Sequence, residues 1–152
     1  MIKKLLAVVL CIGITAVGCA CSVESAQQGY ERILELVSKW TLSSDQSLQG
    51  KRTFGADNYT GSYTAQYRDF TGREMLFGGT QLQRNLGDRL TIRYTICLAG
   101  GRVRIVLLRG AERAVLLQDS GNGEQTVTLA SGTNCVAVEA EQAYGSVEIQ
   151  CI

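Results

Sequence analysis

Hydrophobic positions along the chain change their period twice. Leu5 to Val17 (LLAVVLCIGITAV) is an apolar run without a charge. Further on, Tyr30, Ile33, Leu34, Val37 and Trp40 recur at three- and four-residue intervals, with Arg32, Glu35 and Lys39 off that stripe. This is one apolar face of a helix and predicts a helix over Glu24–Trp40, with Ser22 or Ser25 as its cap. Thr41–Gly61 is polar and contains glycine, which reads as a linker with at most one short strand near Arg52–Phe54.

From Ser62 onward the period falls to two. Tyr63, Ala65 and Tyr67 alternate with polar neighbours, Met75 and Phe77 follow, and Leu90–Ile96 alternates strictly. Further strands are expected at Arg102–Ile105, Ala114–Asp119, Gln125–Leu129, Asn134–Ala140 and Ser146–Cys151. Glycine-containing turn signals separate them: Thr71-Gly72, Gly87, Gly100-Gly101, Gly110, Ser120–Gly123, Gly132 and Gly145. About eight strands at such spacing predict an all-β sandwich. Its inner face would carry Leu90, Ile92, Tyr94, Ile96, Val103, Ile105, Leu107, Val115, Leu117, Val127, Leu129, Val136, Val138, Val147 and Ile149. Arg93, Arg104, Thr126, Thr128, Glu139 and Glu148 would face water.

The first apolar run follows Lys3-Lys4 and is shorter than the roughly 20 residues that span a bilayer, which suits a signal peptide. It ends in Ala16-Val17-Gly18-Cys19. Small residues before a cysteine resemble the bacterial lipobox, although Ala16 stands where that motif favours leucine. Cys19 is the expected lipid attachment point, with Cys21 a less fitting rival; an ordinary cleaved signal and an uncleaved anchor are the alternatives. Acylation would anchor an exported domain to the outer face of the cytoplasmic membrane. The expected organisation is a signal peptide over 1–18, a lipidated N-terminus with helix and linker over 19–60, and a β-sandwich domain over 61–152.

The segments Gly61–Gly72, Leu76–Thr80, Ala130–Asn134 and Gly145–Ile149, together with the lipobox, carry a family resemblance. They resemble small surface lipoproteins of Gram-positive bacteria, whose C-terminal domain is a jelly-roll-like β-sandwich similar in outline to galactose-binding and carbohydrate-binding modules. The resemblance covers about residues 61–150. It implies a fold and a location but no reaction, and no catalytic residues to carry over.

Composition narrows the chemistry. The 152 residues include no histidine, which excludes a Ser-His-Asp triad, a Cys-His pair and histidine-ligated metal. With 15 Lys+Arg against 14 Asp+Glu, net charge gives no case for nucleic acid as a partner. The total conceals a pattern: Arg84–Arg113 holds seven arginines, while Gln118–Ile152 holds five acids and no base. Either the arginines form a face for an anionic polymer or lipid, or the two segments pair across strands; the second reading is favoured.

Individual candidates are weaker. Export permits disulfides among Cys21, Cys97, Cys135 and Cys151. Alternation points Cys97 and Cys135 outward and Cys151 inward. An antiparallel register joining 90–98 to 133–141 would pair Cys97 with Cys135, but a jelly-roll order places those strands in different sheets; unpaired thiols and other pairings stay open. No cysteine spacing suits a thiolate metal site. Tyr59, Tyr63 and Tyr67 near Asp57 and Asn58 would form a sugar platform if exposed, and core if not. Asp119–Glu124 resembles a calcium loop only superficially and reads as a hairpin turn. Glu139 and Glu141 share a strand face without a nucleophile nearby. No cofactor is expected and no enzyme. The sequence therefore points to a non-catalytic interaction or envelope-associated module with a cell-envelope protein or glycan as partner. Carbohydrate recognition is the alternative.

Overall fold

The computed structural model describes residues 48–81 and 83–152. All of them fall in the second of the two units into which the chain divides, Ile33–Ile152. The signal segment, Cys19, Cys21 and the expected helix Glu24–Trp40 lie outside the described residues.

Six antiparallel strands form one sheet: β1 (Lys51–Phe54), β2 (Gly61–Gln81), β3 (Arg89–Arg109), β4 (Glu112–Gln118), β5 (Gly121–Thr128) and β6 (Gly132–Cys151). The order is β1-β2-β6-β3-β4, with β5 also on β3. β4 lies along Arg104–Arg109 and β5 along Arg89–Ile96, so the two follow one another down the same edge of β3.

β2, β3 and β6 are 21, 21 and 20 residues long, several times the usual strand. Each bends at its middle. The register shifts around Phe70 on β2 and around Gly100 on β3. One residue per ribbon turns left-handed at this level: Asp69 (φ 60°), Gly101 (76°), Gln142 (48°) and, between β4 and β5, Asp119 (68°). Bulges of this kind bend a strand and strengthen its twist. Side-chain and backbone bonds tie the corner together, from Gln142 N to Thr71 Oγ1 (2.8 Å), Leu98 N to Ser120 Oγ (3.1 Å) and Asp119 N to the Val103 carbonyl (2.7 Å).

The sheet thus folds back at the corner, and its two halves enclose one core. The first half holds β1, 61–68 of β2, 89–98 of β3, β5 and 143–151 of β6. The second holds the remainder of the long strands and β4. Tyr63, Tyr67, Ile92, Ile96, Val147 and Ile149 of the first half share a buried cluster with Phe77, Val103, Ile105, Leu107, Val136 and Val138 of the second. Leu48 and Phe54 pack against it and Tyr59 belongs to it, so the folded unit includes residues N-terminal to Gly61.

The eight expected strands resolve into six for a definite reason. Thr71-Gly72, Gly100-Gly101 and Gly145 mark bends within strands, so three pairs of expected strands join into β2, β3 and β6; Arg52–Phe54 adds β1. Asp119–Glu124 is likewise no hairpin, because β4 and β5 pair with β3 and not with each other. The expected inner face is buried except at Tyr94 and Leu117, which are half-buried, and Val115, which is 45% exposed. Leu117 opposes Ile105 while Val115 opposes Val106, so Leu116 is an extra residue. That bulge turns Val115 to the outer face.

Candidate functional site

Polar chemistry collects in four places. The first is inside the core. Glu74 is 2% exposed and accepts from Tyr63 Oη, from Tyr67 Oη (2.5 Å) and from the backbone N of Gln49. The two phenols are themselves 3.2 Å apart. Burial, then the bond to the carboxylate, pushes both phenols well above the ordinary tyrosine range. These donors satisfy the carboxylate, join the two halves of the sheet and pin the chain that leads into β1.

The second is the loop before β2. Asp57 Oδ1 accepts from the backbones of Tyr59 (3.0 Å) and Thr60 (2.8 Å), an Asx turn, while its Oδ2 meets Arg84 Nε at 2.5 Å. Arg84 is buried and also donates to the Arg89 carbonyl at 2.8 Å. Tyr59 lies beside it and donates to the Gly79 carbonyl at 2.7 Å; burial raises its phenol to about 12. Tyr59, Tyr63 and Tyr67 are therefore core residues and build no surface platform.

The third is the outer face of the second half. Glu139 joins Arg73 (2.7 Å) and Arg113; Glu141 joins Arg104 (2.8 Å) and Arg102 (3.8 Å); Arg102 also reaches Asp119 (3.6 Å). The basic middle and acidic end of the sequence do pair across strands. Glu139 and Glu141 share a face, as expected, and are engaged by arginines rather than poised for acid/base work.

Among the described residues, Cys97, Cys135 and Cys151 are free thiols. Cys97 is exposed and opposes Ser146, whereas Cys135 is buried and opposes Leu108 and Gly78. The two stand in different halves of the sheet, so the Cys97–Cys135 disulfide is not formed; Cys135 lies on the outer side, in register with Leu108, and is buried there. Burial raises the thiols of Cys135 and Cys151 to about 12, which keeps both protonated and unreactive at neutral pH. Among the described residues no group of three metal-ligating side chains occurs.

The fourth place is open to a ligand. On the outer face of the first half, register aligns Ser62, Gln150, Arg93 and Glu124 in one row and Thr64, Glu148, Thr95 and Asn122 in the next. Together they floor a shallow groove of about 580 Å³. Arg93 and Glu124 pair across it. Two further depressions adjoin it along β1, so the polar surface crosses five strands. Alternation marks Ser62, Thr64, Arg93, Thr95, Glu148 and Gln150 as outward but not which of them become neighbours, and Asn122 and Glu124, expected in a turn, lie on β5. The buried Glu74 and Asp57–Arg84 groups carry no local signal that separates them from surface charges.

No family model and no curated protein matches the chain. Among solved structures it is similar to a chain of the Glycosylation Associate Protein complex from Streptococcus agalactiae, at 13% identity and a TM-score of 0.31. The similarity covers 70% of this chain and 22% of that one, so this chain spans less than a quarter of its neighbour's length.

Proposed function

We propose that this is an exported surface protein, lipid-anchored through Cys19, whose β domain is a non-catalytic binding module. The observation that carries the reading is the polar groove over Ser62, Thr64, Arg93, Thr95, Glu148 and Gln150. The other polar clusters described above are engaged in holding the fold. The groove offers hydroxyl, amide, guanidinium and carboxylate groups side by side, which suits a hydrogen-bonding envelope partner.

We further infer that the folded sheet is a jelly-roll-like sandwich. Numbering the half-strands from 61–68 onward gives the order 1-8-3-6 in the first half and 2-7-4-5 in the second. That interleaving is how a jelly roll wraps its chain. Glycan recognition is the second reading, favoured by the hydroxyl, amide and carboxylate groups of Thr64, Asn122 and Glu148 that share the groove.

Binding of the mature chain to isolated Gram-positive envelope and to a glycan array tests both. An Arg93→Ala/Glu148→Ala variant with an unchanged circular dichroism spectrum is expected to lose envelope binding at least about tenfold, as for a few truncated contact residues. Undiminished binding removes the groove as the site. Array silence alongside retained envelope binding removes the glycan reading. Cys19→Ala is expected to move the protein from the membrane to the soluble fraction, and continued membrane fractionation overturns the anchor.

A further inference from the structure

The two outer faces differ in chemistry. The first half presents polar side chains, whereas the second carries an apolar row, Met75–Ala137–Val106–Val115, in direct register across four strands. Leu108 lies two positions beyond Val106 on the same side, and Arg73, Glu139 and Arg104 rim the row. Val106 and Ala137 are fully buried, yet neither belongs to the core cluster; Val115 at the end of the row is 45% exposed.

We propose that this face is covered by the chain's own segment Ile33–Trp40, docked through Ile33, Leu34, Val37 and Trp40. Three observations single out that occupant. The segment has an apolar stripe that is too short to hold a helix unaided. Its seven steps span about 10 Å as a helix, and the row from Met75 to Val106 crosses two strand gaps of about 4.8 Å each.

The third observation is where the described chain begins. Leu48 packs against the core, and Gln49 is held by Glu74, whose neighbours Arg73 and Met75 belong to the outer rows. β1 covers only Gly61–Thr64, so among the described residues β2 is the sheet's edge at this point. The chain is therefore fixed beside an open edge next to the apolar row. Eight residue steps from Trp40 to Leu48 reach about 26–29 Å, enough to pass around that edge.

Trp40 is the only tryptophan and reports directly on the docking. In the mature chain its emission is expected to be blue-shifted and shielded from acrylamide, at every protein concentration. Val115→Asp and, separately, Val37→Asp are expected to raise quenching about twofold or more, as for a side chain moved from an apolar contact into water. Thr126→Asp on the opposite face is expected to leave it unchanged, with circular dichroism showing all three variants folded. Full quenching of Trp40 in the unaltered protein overturns the proposal. Shielding that grows with protein concentration assigns the face to a second copy, and shielding that needs phosphatidylglycerol vesicles assigns the segment to the bilayer; either result overturns it. Cys19→Ala is expected to keep Trp40 shielded, so failure of the anchor and failure of the docking read out separately.

Discussion

Tyr63 and Glu74 stand eleven positions apart on the same strand, yet the phenol of one donates to the carboxylate of the other inside the core. The corner lies between them, so the bond closes the fold of the sheet. A buried carboxylate is costly unless its acceptors are filled, and here three donors fill them. Glu74→Ala lets the two phenols pair with each other but leaves one phenol O–H and the Gln49 N–H without an acceptor, each at about 1–3 kcal/mol, so a total loss of about 3–5 kcal/mol is expected in urea unfolding. Glu74→Gln keeps the shape and one acceptor, and should cost less, about 1–2 kcal/mol. Equal losses for the two variants would argue that packing, not hydrogen bonding, is what Glu74 supplies.

Alkaline pH should unfold the domain earlier than its balanced charge suggests. Burial raises Cys135, Cys151 and Tyr59 to about 12, and Tyr63 and Tyr67 also lie above their usual range. A group whose folded value is raised contributes stability that is complete below its unfolded value and lost as pH climbs toward the folded one. Stability should therefore hold to about pH 8.5, the free-thiol value, and then fall by up to about 1.4 kcal/mol per pH unit for each group engaged. Urea midpoints from pH 8 to 11 measure this. Replacing Cys135 by Ala should reduce the slope between pH 9 and 10, where the tyrosines still contribute little.

Two glycines in left-handed conformation should respond unequally to alanine. At Gly101 (φ 76°) an added Cβ would lie 2.0 Å from the Gln142 carbonyl oxygen, inside the corner. At Gly110 (φ 56°) it would meet nothing within 4 Å. Gly110→Ala should cost only the left-handed penalty, about 1–2 kcal/mol. Gly101→Ala adds a backbone clash and should cost more than about 3 kcal/mol. Thermal midpoints of the two variants decide the matter; similar shifts would mean the corner yields easily.

The charge ladder should matter at low pH and low salt. Arg113, then Arg73, hold the Glu139 carboxyl below its ordinary value against the opposing effect of desolvation. A lowered folded value contributes stability above the unfolded value near 4.3, lost as pH falls through the folded one. Such surface pairs are worth at most about 1 kcal/mol and are screened by salt. Glu139→Gln should flatten the decline of stability between pH 5 and 3 at low ionic strength and change little in 1 M salt. A flattening that persists in high salt would contradict a solvent-screened pair.

Much of this protein is written locally. Alternation over Leu90–Ile96 and Val103–Leu107 fixes which side chains face the core, because successive side chains in a strand take opposite faces. Gly87, Gly110 and Gly132 mark true connections. The segregated arginines and acids foretell cross-strand pairing, since β3 carries most of the arginines and lies beside β5 and β6, which carry most of the acids. What the sequence leaves open is what a glycine does. Gly101 and Gly110 look alike in a string of letters, yet one bends a continuous strand and the other reverses it, and only the paired neighbour distinguishes them. The same limit hides the extra Leu116 that turns Val115 outward, the burial of Tyr59, Tyr63 and Tyr67, and the separation of Cys97 from Cys135. Each depends on register between residues far apart in the chain. Local patterning determined the faces of the strands; long-range pairing decided where the sheet folds, and with it which polar row became a groove and which acid became the centre of the core.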